Sequence, residues 1–429
     1  MTAVLDTTVT VTADVVAEQG TPIFDEGHCP GTTSLAPVVG GTQTVPVSGG
    51  REVRYANFDY AASAPALTEV AEAFTAALGQ YASVHRGAGH LSQVTTARYE
   101  QARETVRRFV GGRADDTVVF TRNTTDSINL AAHILPADGE VVVLDIEHHA
   151  NLLPWQRTGR ARVVVARSTF AETLAALEAE LAARPAALLA ITGASNVTGE
   201  VLPIRTLTAL AHRHGARILV DAAQLVAHRA VSLASHGIDY LVFSGHKVYA
   251  PFGAGVLVGR SDWLDAAQPY LAGGGATQNV ALEETTWHTG PARHEAGSPN
   301  VLGAVAIAAA ADAIDHLGYE LIGYHERDLL TRLDAGLAGL EGVTPLRIFD
   351  DVDERVGIAG FVVDGRTARE VAEHLSEHHG IGVRDGKFCA HPVLRRLGHA
   401  DGAVRASFGL GTSSDDVDRL IAALAELTR

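Results

Sequence analysis

Ile218-Leu219-Val220-Asp221-Ala222-Ala223-Gln224 reads as an apolar strand that ends in an acid. About one strand–helix unit later, Tyr240-Leu241-Val242-Phe243-Ser244-Gly245-His246-Lys247 repeats the pattern and ends in small and polar residues followed by a lysine. Neither run alternates, which predicts strands covered on both faces. If the two are parallel, their polar ends fall on one edge of the sheet. Outward from this pair, strand-like runs recur at 117–121, 141–145, 162–167, 187–192, 217–221, 240–244 and 254–258. Between them lie 97–110, 126–134, 171–183 and 204–214, each with apolar residues at three- and four-residue spacing. The alternation predicts an α/β fold with a mostly parallel seven-stranded sheet, and such sheets bind ligands at the C-terminal ends of their strands.

After about residue 300 the texture changes to helices at 299–316 and 319–340, then a β-α-β-like stretch that ends in a helix over 414–428. The expected division is an irregular extension over 1–50, a large domain over 51–300 and a smaller α+β domain over 301–429. The large domain's first segment is expected to contribute to the small one. No fixed-period repeat occurs.

Composition narrows the partners. The chain of 429 residues is 46% hydrophobic, ample for a full core, and its 34 basic against 50 acidic residues give a net charge of -16. That charge repels nucleic acid and anionic lipid, and Trp155 with the other two tryptophans forms no base-stacking platform. The longest apolar run, Val301 to Ala311, stops at Asp312, too short to cross a bilayer, and the first fifty residues contain no Lys or Arg. A cytoplasmic protein that acts on a small molecule is expected. Cys29 and Cys389 sit in unrelated contexts, so no disulfide framework is expected.

Of the 34 basic residues only two, Lys247 and Lys387, are lysines. Arginine serves wherever a surface cation is enough, but its guanidinium stays protonated and forms no imine. A lysine retained in this background, at a strand end, points to use of its amine. A pyridoxal-phosphate (PLP) site needs an amine to hold the aldehyde and a carboxylate to keep the pyridine nitrogen protonated. Lys247 and Asp221 supply that pair, although a strand-end Asp also serves as a helix N-cap. Thr121-Arg122-Asn123-Thr124-Thr125 precedes a helix, so its hydroxyls and backbone N–H groups suit a phosphate. Glu147-His148-His149-Ala150-Asn151 follows a strand and offers an imidazole to a flat ring.

These segments, with Ser195-Asn196-Val197-Thr198-Gly199, closely resemble the class V aminotransferase family, and within it the group II cysteine desulfurases. The similarity runs in collinear order over roughly residues 55–428. The resemblance implies a fold-type I PLP enzyme with Lys247 as Schiff-base lysine, Asp221 on the pyridine nitrogen and His148 on the ring. It places Asn196 and Gln224 on the phenolic-oxygen side and Thr124, Ser244 and His246 on the phosphate. Thr277, in Gly273-Gly274-Gly275-Ala276-Thr277, resembles the phosphate contact that a second subunit lends, which implies a homodimer with its active site at the interface. The segment Val383 to Pro392 resembles the one that bears the persulfide cysteine, here Cys389, and Arg405 resembles the arginine that grips the substrate carboxylate, with Arg384 assisting. Lys387 is expected to lower the Cys389 pKa.

The family pattern is broken in two places. Group II desulfurases usually carry two histidines immediately before the cysteine, where this chain has Lys387 and Phe388. Gly409-Leu410-Gly411 replaces their polar turn after Arg405. Cleavage of the C–S bond of L-cysteine, with alanine released, a persulfide on Cys389 and a sulfur-acceptor protein as partner, is the expected activity. The alternative is another class V reaction, by a C–S lyase on an S-substituted cysteine, an epimerase or a transaminase. There Cys389 would be a small buried apolar residue without a chemical role. A PLP-binding protein without catalysis would have lost Lys247, Asp221 or Arg405, and all three are present. His374 and His378 lie one helical turn apart, but such pairs are expected among 20 histidines and no third Cys or His ligand is expected to complete a site, so a solvated helix face and no metal are expected. Gly273-Gly274-Gly275 does not open a helix after a strand, so nothing in it supports a nicotinamide site.

Overall fold

The computed structural model describes residues 32–428. At its centre is a seven-stranded sheet in the order Asp116–Thr121, Gly255–Arg260, Tyr240–Ser244, Arg217–Asp221, Leu188–Thr192, Val141–Leu144, Ala161–Val164. Gly255–Arg260 is antiparallel to both of its neighbours, and the other pairings are parallel. Leu188–Thr192 and Tyr240–Ser244 are buried at every position, as strands covered on two faces must be. The ends Thr121, Leu144, Thr192, Asp221 and Ser244 therefore line one edge, and Gly255 pairs with Thr121 on one side and Ser244 on the other.

Gly255 sets how closely those two ends approach. A Cβ there would collide with the backbone of Asn123, which cannot give way because Asn123 caps the next helix, Thr124–Ile134, by accepting the Asp126 N–H at 3.0 Å. Gly255→Ala is expected to cost about 1–3 kcal/mol of stability through this overpacking. Urea titration of parent and variant checks it, and an unchanged midpoint would refute the tight approach.

A second, four-stranded sheet has the order Val343–Pro345, Ile358–Val363, Ala403–Ser407, Arg384–Gly386. It packs with helices Tyr319–Ala338, Ala368–His379 and Ser414–Leu427 around its own apolar cluster, which includes Leu333, Phe361, Leu375 and Leu420. Capping boxes start two of these helices, Thr367 with Glu370 and Ser413 with Asp416. Ala56–Asn57 pairs in parallel with Ile381–Gly382 in a separate two-stranded sheet, which ties an early segment of the chain to the strand that follows helix Ala368–His379.

Three expectations need correction. Within 32–50, read as part of an irregular extension, Thr44–Val47 forms a hairpin with Arg51–Arg54; Gly49 and Gly50, both at positive φ, make the turn. Residues 1–31, Cys29 among them, lie outside the described residues. The boundary expected at residue 300 falls before a helix, Val301–Leu317, that packs against Thr68–Leu78 and His90–Phe109 and buries Ala306, Ile307, Ala310 and Ile314 in the large core. A helix this rich in alanine needs close neighbours to bury its backbone, and the large sheet's helices supply them. The pairing of His374 with His378 as a plain solvated face is also revised, because the fold brings His379 and Glu426 to His374. Among the described residues no single helix is long and apolar enough to cross a membrane.

Candidate active site

The strand ends open into a cleft of about 500 Å³. Lys247 enters it from a single 3-10 turn, Gly245–Lys247, that directly follows the strand Tyr240–Ser244. Gly245 is required there, since a Cβ would meet the Ala250 and Ala254 carbonyls and the Ile307 side chain. Burial pushes the Lys247 ammonium down to about 8, with Asp221 pulling the other way. Asp221, 4% exposed, is raised by burial, a rise opposed by the Lys247 charge and by a hydrogen bond from the Ala223 N–H at 3.0 Å.

In the same cleft, the Thr124 N–H donates to Ser244 Oγ at 2.7 Å, and the two hydroxyls share a hydrogen bond of 2.6 Å. His246 lies beside them and is pushed down to about 4 by burial first and Lys247 second. Two hydroxyls at the first turn of a helix, next to a neutral imidazole, form a donor set for an anion. His148 is pushed down to about 3, by burial and then by Lys247. Its Nδ1 accepts the Ala150 N–H at 3.0 Å, so the proton of the neutral ring sits on Nε2. Gln224 donates to the Ala61 carbonyl at 2.7 Å, and Asn196 Nδ2 to the Phe388 carbonyl at 2.8 Å.

The smaller sheet closes the cleft. Arg405, 3% exposed, donates to the Asn196 carbonyl at 2.9 Å and to Asp59 Oδ1 at 3.1 Å, while its buried Nε has no partner among the described residues. A buried guanidinium N–H left free at a cleft wall is a vacant half of a carboxylate grip. Arg384 is further out, 3.9 Å from Asp59 Oδ2 and half exposed.

Cys389 is exposed and lines the same cleft, so the reading of it as a small buried apolar residue does not hold. Phe388 and Cys389 both take left-handed backbone, at φ +51° and +53°, a strained choice for consecutive residues with side chains. The walls hold the turn: the Cys389 carbonyl accepts the His149 N–H at 2.8 Å and the Phe388 carbonyl accepts from Asn196. His149 and His391 pack edge to face with ring centroids 4.5 Å apart on the outer side of this turn. Thr277 lies in a hairpin, Thr277–Val280 with Thr285–Trp287, and does not line the cleft of its own chain.

Lys247, Asp221 and the hydroxyls of Thr124 and Ser244 come together in one cleft, a donor set that would suit a phosphorylated aromatic aldehyde. The sequence reading missed Asp59, although Asn57-Phe58-Asp59-Tyr60-Ala61 marks an abrupt turn at the start of the folded chain. It also missed His391, two residues past the cysteine.

The family description "Aminotransferase class-V" matches residues 56–420. The chain belongs to the class V aminotransferase family. Membership in this PLP-dependent family fits the donor set just described. Among curated relatives, a cysteine desulfurase of Cronobacter sakazakii is 38% identical over 87% of this chain and 93% of its own length. A cysteine desulfurase of Synechococcus elongatus is 35% identical over 80% of this chain. The chain spans about half the length of that relative, 56%. The apo structure of a cysteine desulfurase from Thermococcus onnurineus superposes with a TM-score of 0.81 at 34% identity, covering 87% of this class V chain and 94% of the other.

Proposed function

We propose that this class V enzyme is a cysteine desulfurase-like catalyst that moves the sulfur of L-cysteine onto Cys389 and releases alanine. The observation that carries the reading is the exposed thiol of Cys389 on a pinned, strained turn, opening into the cleft that holds Lys247, Asp221 and the unpaired Nε of Arg405. Lys247 would hold the cofactor's aldehyde carbon and Asp221 its pyridine nitrogen. Thr124, Ser244 and His246 would take its phosphate, His148 would cover its ring, and Asn196 and Gln224 would face its phenolic oxygen. When bound, PLP supplies an electron sink for the bonds at the substrate's α-carbon.

The chain's own groups do the rest. Arg405, steadied by Asp59, receives the substrate carboxylate, and Arg384 adds positive charge at the rim. Lys247, whose pKa of about 8 lets it both give and take protons near neutrality, is the base at the α-carbon. The Cys389 thiolate attacks the substrate sulfur, so that an S–S bond forms as the C–S bond breaks. The electron pair stays with the substrate carbon, which is protonated to the methyl group of alanine. Thr277 reaches the phosphate of a second copy in a homodimer, a role supported by its hairpin, whose Val280 and Leu282 are exposed. A soluble acceptor protein then takes the sulfur, in the cytoplasm.

Incubating the purified protein with L-cysteine and a reductant is the direct test: alanine and sulfide are expected in equal amounts. A second reading rests on a groove of about 610 Å³ outside Cys389, lined by His149, Leu153, Pro154 and Arg157. It suits the apolar substituent of an S-substituted cysteine and a C–S lyase reaction. Pyruvate and a thiol from such a substrate, with no alanine from L-cysteine, would favour it.

The Lys247 shift gives a pH prediction. Only the neutral amine is a nucleophile, and its fraction grows as pH rises through the pKa. Capture of PLP by protein stripped of it should therefore accelerate up to about pH 8 and level off above. Stopped-flow absorbance measures this, and a rate still climbing tenfold per unit toward about pH 10 would place the amine at its ordinary value.

A further inference from the structure

Away from the cleft, helix Ala368–His379 and helix Ser414–Leu427 pack together, and their ends bring His374, His379 and Glu426 to one point. His379 Nε2 is 3.3 Å from His374 Nε2 and 3.4 Å from Glu426 Oε2, and the three ligand atoms all lie within 4.8 Å of one another. Ligands held at about 2.0–2.1 Å from one tetrahedral ion stand about 3.3–3.4 Å apart. Both short separations match that edge. As a hydrogen bond, the contact between the two imidazoles is long.

We propose that His374, His379 and Glu426 form a binding site for a divalent transition-metal ion of the zinc class, with water as a fourth ligand. Two imidazoles and a carboxylate suit Zn²⁺, Co²⁺, Ni²⁺ or Cu²⁺, whereas Mg²⁺ and Ca²⁺ call for oxygen ligands. Arg419, the nearest cation on the terminal helix, donates to the His379 carbonyl at 3.0 Å. His378 packs against His374 with ring centroids 4.9 Å apart but is exposed and outside the triangle.

The placement gives the ion a job. His379 is followed by Gly380, whose φ of +64° turns the chain into Ile381–Gly382, the strand paired with Ala56–Asn57. That segment continues to Arg384 and Cys389. An ion at this corner ties the terminal helix to the base of the strand that presents the thiol, without touching the cleft.

The test uses the untagged, full-length holoenzyme, freed of metal with a chelator and titrated with Co²⁺ and, in competition, Zn²⁺. One Co²⁺ per chain is expected, with the visible bands of a four-coordinate ion and no thiolate charge-transfer band. His374→Gln, His379→Gln and Glu426→Gln should each weaken binding by at least about tenfold, in line with the cost of disturbing a metal's ligand sphere. Circular dichroism and the cofactor's absorbance should stay as in the parent. His378→Gln and Cys389→Ser should leave affinity within about twofold, less than half of the roughly 1.4 kcal/mol that a tenfold change represents. No saturable uptake by the parent overturns the proposal. So does uptake that survives His379→Gln but disappears in Cys389→Ser, because the ion would then sit on the cysteine.

Discussion

Replacing Lys247 by alanine is expected to abolish turnover, lowering kcat by at least about 10³-fold, within the range that loss of a general acid–base group alone produces. Two functions would go at once, the anchor for the cofactor's aldehyde and the base at the substrate's α-carbon. No neighbour can stand in. Arg405 and Arg384 line the cleft but cannot lose a proton, and His148 and His246 are too weakly basic, at about 3 and 4, to take up a proton near neutrality. Lys387 also borders the cleft, but it is exposed and carried by the smaller sheet. Lys247→Arg should fall as far as Lys247→Ala, because it keeps the charge and loses the amine. The check combines steady-state kinetics with borohydride reduction of the holoenzyme and peptide mapping. The label should appear on Lys247 in the parent and on no residue in either variant. A label on Lys387, or a variant that keeps a tenth of the parent's activity, would sink the assignment.

The route from sequence to this site shows which physics is local. The seven strands were readable because a strand buried on both faces must be apolar throughout, and Tyr240–Ser244 satisfies that without ambiguity. Helix His90–Phe109 begins seven residues before the expected 97, since His90 to Gln93 are mostly polar and Gly89 gives no side-chain cap. Strand order was not readable: the antiparallel insertion of Gly255–Arg260 depends on which edge is free when that strand arrives, and no residue states this. Asp221, Ser244 and Lys247 were readable because each is an unusual residue at the end of an apolar run. Asp59 was not, since its partner Arg405 lies 346 residues away and neither residue carries a local mark of the pairing. The paired left-handed residues Phe388 and Cys389 were equally hidden, because their backbone is held by His149 and Asn196 from the other sheet.

That division of labour has a consequence for specificity. In the proposed reading the large sheet's edge supplies this chain's own groups for the cofactor, whereas the smaller sheet and the turn that follows its strand Arg384–Gly386 supply Arg405, Arg384 and Cys389 for the substrate. In this chain the two positions before the thiol are Lys387 and Phe388, and His149, whose N–H the Cys389 carbonyl accepts, packs against His391 beside the turn. The sulfur-transfer geometry is therefore the part of the site where this chain departs most from the pattern it resembles.

Cys389→Ala is expected to remove alanine formation from L-cysteine, by at least about 10³-fold, as loss of an attacking nucleophile does elsewhere. The cofactor's absorbance should remain that of the parent, because Lys247, Asp221 and the anion cradle stand on the other sheet. Substrate binding should persist too, since the proposed carboxylate grip is that of Arg405, which Asp59 holds in place. The expected signature is therefore a spectral response to L-cysteine without product, measured by difference spectroscopy and alanine assay on one sample. Alanine is itself compatible with the positive φ only at a cost, as is any residue with a Cβ, so the turn keeps its strain and the variant isolates the sulfur. If the variant still makes alanine at more than a tenth of the parent's rate, the thiol is a bystander on the cleft wall. The groove beyond it would then be the place to look for the substrate's side chain.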